Sequence, residues 1–118
     1  MNIKVAECIF CKVANGEIDS DIVYQDDRLL AFKDVNPQAP VHLLIIPKRH
    51  IESVMDLQKG DADLISDIIF TAQKLAKEFG LDEKGFRIVN NCGEEGGQTV
   101  NHVHFHLLGQ RQLTWPPG

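Results

Sequence analysis

The 118-residue sequence lacks an excess of positive charge: 12 Lys and Arg stand against 17 Asp and Glu, a net charge of −5. Without a positive field to recruit phosphate polyanions, the chain is expected to bind neither nucleic acid nor a membrane surface. It also lacks any run near the roughly 18–20 apolar residues of a membrane span, and its first eight residues hold no apolar signal core. A cytoplasmic protein is expected. Cysteine is scarce too. Three residues leave one over, and an intracellular Cys8-x-x-Cys11 points to metal or redox chemistry rather than a structural disulfide. No Walker-type Gly-x-x-x-x-Gly-Lys-Ser/Thr occurs, which disfavours an ATPase of that kind, and there is no internal repeat, low-complexity tract or linker.

What is present suits one globular domain spanning residues 1–118: 43% of residues are hydrophobic and 25% charged, at a length that buries a core without disulfides. Residues 22–24 and 29–32, rich in strand formers, flank Asp26-Asp27 and read as a hairpin. Pro37 and Pro40 make 36–40 a loop, and the apolar run 42–47 reads as an interior strand. Between residues 61 and 80, Ile65, Ile68, Ile69, Ala72, Leu75, Ala76 and Phe79 recur at spacings of three and four. That spacing predicts a helix, with Asp61 as N-cap and Gly80 as stop. Residues 86–90 and 103–108 read as two later strands around a loop at 92–98. The order predicts an α+β fold with a mostly antiparallel sheet of about five strands packed with one long helix.

On strand 103–108, alternation places His102, His104 and His106 on one face and Val103, Phe105 and Leu107 on the other. The bland reading is the solvent face of an edge strand. Against it, several imidazoles crowded on one face need partners. Two functional readings follow, a metal site or a nucleophilic histidine, and spacing does not separate them.

The run His102-Val103-His104-Phe105-His106-Leu107-Leu108 resembles the signature of the histidine-triad family. The similarity extends to Cys8-Ile9-Phe10-Cys11, Asn36-Pro37-Gln38-Ala39-Pro40, Pro47-Lys48-Arg49-His50, Gly96-Gly97-Gln98-Thr99 and Trp115-Pro116-Pro117-Gly118. It covers nearly the whole chain and looks like the Hint branch, whose members are homodimeric nucleoside phosphoramidate hydrolases. The resemblance implies a HIT fold with a short N-terminal helix, a purine nucleotide substrate, and release of nucleoside monophosphate through a nucleotidyl-histidine. Alternatives are a dinucleoside polyphosphate hydrolase, a nucleotidyl transferase of the same superfamily, or a non-catalytic nucleotide-binding regulatory module. Length disfavours the larger transferases.

Residue by residue, the resemblance makes His104 the nucleophile, His106 the phosphate ligand and His42 their support, where His42 alone reads equally as a core histidine. Asn91, Gln98 and Thr99 fall at substrate-contacting positions, Thr99 standing where many relatives carry serine. Gly96-Gly97 permits close approach of backbone N–H groups to an anion, although glycine pairs more often only make turns. Asp34 matches the acid that receives the ribose, and Ile9, Phe10, Phe32 and Val35 match the walls around the base.

For Cys8-x-x-Cys11, a thioredoxin-like redox pair expects a preceding strand, and only seven residues precede Cys8. Zinc needs two further ligands. The resemblance supplies His50 and His102, giving a structural zinc and no redox cofactor, with Cys92 left over. By the same resemblance the tail, residues 110–118, reaches toward the dimer partner, where Trp115 influences the leaving group. Gln110 stands where relatives usually carry a second glycine.

Overall fold

A computed structural model describes residues 7–118; the segment 1–6, read above for a signal core, lies outside it. Five strands form one antiparallel sheet in the order β1-β2-β3-β5-β4, where β1 is Ile22–Gln25, β2 Leu29–Lys33, β3 Val41–Pro47, β4 Phe86–Asn90 and β5 Phe105–Gly109. Two helices accompany them: α1, Ile9–Ala14, and α2, Ala62–Glu78. No described helix is long and apolar enough to cross a membrane.

The predicted hairpin is β1 and β2, and its turn is held by Asp26, whose carboxylate accepts from the backbone N–H of Arg28 and Leu29 at 2.8 Å each. Strand β3 is buried at every residue, because α2 covers one face and α1 the other. On the α2 face lie Leu29, Ala31, Leu43, Ile45 and Leu107, packed against Leu64, Ile68, Ala72 and Leu75. On the α1 face lie Leu30, Phe32, Leu44 and Ile46, with Phe10, Cys11 and Val13. The second face also carries the imidazoles. Register fixes this, since Leu44 pairs with His106 and His42 with Leu108.

The long helix runs as its spacing predicts and ends at Phe79, with Gly80 in the left-handed region at φ 71°. Two details differ. Leu64 belongs to the buried stripe while Ile69 points out, because the stripe that meets β3 passes through 64, 68, 71–72 and 75–76. Asp61 occupies the cap position, yet its carboxylate turns back to the Gln58 N–H and to Arg49, at 2.9 and 2.5 Å. These bonds hold it below the usual carboxylate range, Arg49 first.

The last strand also begins later than its alternation suggests. Pairing stops at Phe105, opposite Ile45 and Asn90, and the chain before it leaves the sheet. There Val103 N–H donates to Ile51 O at 2.6 Å, so His102 and His104 sit on an approach held by residues 47–51.

Candidate functional site

His102 is fully buried, and its Nε2–H donates to Pro47 O at 2.7 Å. A carbonyl only accepts, so the lone pair of His102 is on Nδ1. That nitrogen stands 3.3 Å from Cys8 Sγ and 3.5 Å from Cys11 Sγ, and His50 Nδ1 is 3.3 Å from Cys11 Sγ. All four ligand atoms lie within 4.8 Å of one another. Tetrahedral zinc, with Zn–S about 2.3 Å and Zn–N about 2.0–2.1 Å, separates S from N by about 3.5 Å. The four residues therefore fit that ion in both distance and donor type. Burial pushes the Cys11 thiol up to about 12, with Cys8 adding to the rise, and burial pushes His102 down to about 4. A dication reverses the balance for the thiols by favouring thiolate. Cys8 caps α1, and the Cys11 N–H points at Cys8 Sγ from 3.3 Å, so the helix start shapes the cluster. His50 Nε2 is buried without a partner among the described residues.

The second cluster joins Asp34, His42 and His106. Gln38 N–H donates to His42 Nδ1 at 3.0 Å, which leaves the proton of neutral His42 on Nε2. From there it donates to His106 Nδ1 at 2.8 Å, with Asp34 Oδ2 a looser neighbour at 3.3 Å. His106 in turn carries its proton on Nε2. A tetrahedral metal would hold two imidazole nitrogens about 3.4 Å apart, so the 2.8 Å contact is a hydrogen bond. Burial pushes His106 down to about 4, helped by His104 and His42 and opposed by Asp34; burial likewise lowers His42 against Asp34. Both are neutral at pH 7.

Between the clusters, His104 Nδ1–H donates to His102 O at 2.7 Å, which makes Nε2 its unprotonated nitrogen. Its ring meets Phe10 edge-on, with centroids 5.1 Å apart, and lies 5.1 Å from the His106 ring. The site thus presents one nucleophilic nitrogen beside one imidazole N–H donor, each tautomer set by the hydrogen bond at Nδ1. That pairing suits attack on an electrophile whose oxygen or leaving atom needs a hydrogen bond.

A model of the HIT domain matches residues 15–113. The chain belongs to the HIT domain family. A HIT family hydrolase from Legionella pneumophila Philadelphia 1 superposes with a TM-score of 0.94 at 53% identity, covering 95% of this chain and 100% of that one. A 14 kDa zinc-binding protein of Brassica juncea is 46% identical over 114 residues, 95% of this chain and 100% of its own length. Adenylylsulfatase HINT1 of Arabidopsis thaliana is 47% identical over 113 residues, 93% of this chain and 76% of its own length.

In this HIT chain the remaining sequence-derived positions divide. Phe10 and Phe32 are buried as an edge-to-face pair, 5.5 Å between centroids, while Ile9 is half exposed and Val35 is 97% exposed. Asn91 Nδ2 donates to Gly96 O at 2.7 Å and orders the glycine loop; Thr99 is exposed at its end. Gln98 has its amide engaged by backbone groups. Trp115 is 81% exposed. Sequence reasoning missed Asn90, whose Nδ2 donates to His104 O at 2.9 Å and so fixes the backbone of the central histidine. A polar amide closing the strand after Ile88 and Val89 is the signal that marks it.

Proposed function

We propose that this HIT protein is a purine nucleoside phosphoramidate hydrolase, acting as a homodimer of one HIT domain in the cytoplasm. The observation that carries the reading is the tautomer chain: backbone groups leave His104 with a free Nε2 lone pair and His106 with an Nε2–H beside it. The His104 lone pair attacks phosphorus, and the P–N bond breaks with its electron pair leaving on the amine. The amine takes a proton from a facing donor, His106 Nε2–H or the Thr99 hydroxyl. Water then attacks the same phosphorus, gives a proton back to the group that protonated the amine, and the P–Nε2 bond breaks, which returns the lone pair to His104 and frees the nucleoside monophosphate. His42 fixes the His106 tautomer, Asp34 receives the ribose hydroxyls, and the loop at 96–99 with Asn91 receives the phosphate. Exposed Ile9 and Val35 support an apolar seat for the base.

Cys8, Cys11, His50 and His102 hold a structural zinc, which supplies a cross-link between the N-terminal helix and the approach to β5. Oxidation states do not change, so no redox cofactor is required. The outer edge of β4 is unpaired among the described residues, and Ile69, Phe70 and Phe86 are exposed, which supports a second copy as partner. Residues 110–118, with Trp115, reach toward that partner's site. Sedimentation as a monomer at micromolar concentration would refute the dimer.

The test is release of adenosine monophosphate from adenosine 5'-phosphoramidate by wild type and His104→Ala. Release by wild type, abolished in a variant that still binds adenosine monophosphate, supports the reading; a folded, nucleotide-binding wild type that releases none sinks it. A second reading draws on the Arabidopsis adenylylsulfatase: the same attack with sulfate as leaving group. Comparing turnover of the phosphoramidate and adenylyl sulfate ranks the two.

A further inference from the structure

Gln98 stands in the loop that, on the reading above, receives the phosphate, but its side chain has no free donor. Its Oε1 accepts from Gly93 N–H at 3.0 Å, and its Nε2 donates to Glu52 O at 2.6 Å and to Val100 O at 3.0 Å. A primary amide has two N–H groups, and both are taken. The remaining Oε1 lone pair repels an anionic oxygen. Backbone bonds complete the loop: Gln98 N–H to Gly93 O and Gly97 N–H to Glu94 O, each 3.0 Å.

Glu52 lies two residues beyond His50, one of the four residues that fit zinc. The strip 47–52 is tied to the strip 98–103 at three points. His102 Nε2–H donates to Pro47 O, Val103 N–H to Ile51 O and Gln98 Nε2–H to Glu52 O, at 2.7, 2.6 and 2.6 Å. The first two hold the metal-binding end. Gln98 carries the third tie, side chain to backbone, out of that end and into the glycine loop. Ser53 follows directly as the cap of a helical turn, its Oγ accepting from Met55 N–H, so the Glu52 carbonyl is presented from an ordered segment.

We propose that Gln98 is a positioning residue that couples the metal centre to the phosphate loop. A metal on His50 and His102 fixes strip 47–52, the Glu52 carbonyl holds the Gln98 amide, and the amide holds Gly93 and Val100 around the anion seat. Gln98 then acts on substrate through the loop and not by contact. The coupling is reciprocal: whatever orders the loop also tightens the metal.

Two measurements on the zinc-loaded full chain test this, with Gln98→Met as a neutral side chain of similar length that cannot donate. Backbone hydrogen exchange without nucleotide is expected to speed up about tenfold at Gly93, Gly97 and Gln98, as when one hydrogen bond to a partly buried carbonyl is lost, with β3 and β5 unchanged. Zinc loss to a competing chelator is then followed with and without adenosine monophosphate. In wild type the nucleotide is expected to strengthen zinc retention about tenfold, and in Gln98→Met less than about twofold. Wild-type exchange in the variant loop would overturn the positioning role, and an equal nucleotide effect in both proteins would overturn the coupling. Neither readout involves turnover. Failure of the hydrolase reading shows separately, as absent turnover by a wild type that passes both tests.

Discussion

At one end of the approach to β5, His102 sits fully buried between two thiols; four residues later His106 is half-buried and opens beside His42. The two regions use the same side chain at the two ends of one short segment, and backbone atoms assign them opposite duties. Pro47 O takes the Nε2–H of His102 and turns its lone pair inward, toward sulfur. The N–H of Gln38 takes the Nδ1 lone pair of His42 and forces a proton through Nε2 to His106, whose own Nε2–H is left free. A histidine's role here is set by whether its fixed partner is a donor or an acceptor. At the first end Cys8, Cys11, His50 and His102 converge on one point, and at the other an N–H donor is left without an acceptor among the described residues.

If the first region is a structural clamp, breaking it costs fold and not chemistry. Cys11→Ala is expected to lose bound zinc and on the order of 4 kcal/mol of stability, read by elemental analysis and denaturant unfolding. Full zinc retention would disprove the clamp. The reverse holds at the open end. His106→Ala removes the free donor and is expected to lower kcat/KM for the phosphoramidate by about 10²–10³-fold with zinc content unchanged. A loss of both zinc and activity would erase the distinction between the regions.

Acid sharpens the same contrast. The native His106 is held down to about 4 by burial, whereas an unfolded histidine titrates near about 6.5. Between these values the unfolded chain binds a proton that the native chain does not, so stability falls as pH drops from about 6.5 toward 4. The lowered His42 pulls in the same direction. Unfolding midpoints measured from pH 7 to pH 5 are expected to slope downward with falling pH in wild type and less steeply in His106→Asn. Equal slopes would mean that the open cluster is not what resists protonation.

Much of this was legible before any coordinates. The spacing of Ile68, Ala72, Leu75 and Ala76 announces α2, the prolines bracket β3, and two groups of the motif residues lie together, Cys8, Cys11, His50 and His102 in one and Asp34, His42 and His106 in the other. What escaped has a common cause. The His-x-His-x-His alternation runs on past Phe105 as though the strand did, because side-chain period carries no information about where the partner strand ends. Asn90 and Gln98 act on the carbonyls of His104 and Glu52, and a carbonyl leaves no mark in a sequence. Ile69 and Leu64 exchange places for a similar reason: both fit a helical stripe, and the sheet it meets decides which one is buried.

The far end of β5 offers the control. Gln110 follows Gly109 with φ 68°, a conformation that costs a residue with a Cβ about 1–2 kcal/mol. Its side chain recovers part of that, since Nε2 donates to Phe79 O at 3.1 Å, but the contact is exposed and weak. Gln110→Gly removes the strain, forfeits the bond and adds unfolded-state entropy, so a net gain of at most about 1 kcal/mol is expected, a rise of a few degrees in Tm. Gln110→Ala keeps the strain without the bond and is expected to fall slightly. Both variants leave Cys8, Cys11, His50 and His102 untouched, so zinc content should match wild type. A Gln110→Gly protein less stable than Gln110→Ala would show that the backbone there is held by something other than the tolerance of glycine for a left-handed turn.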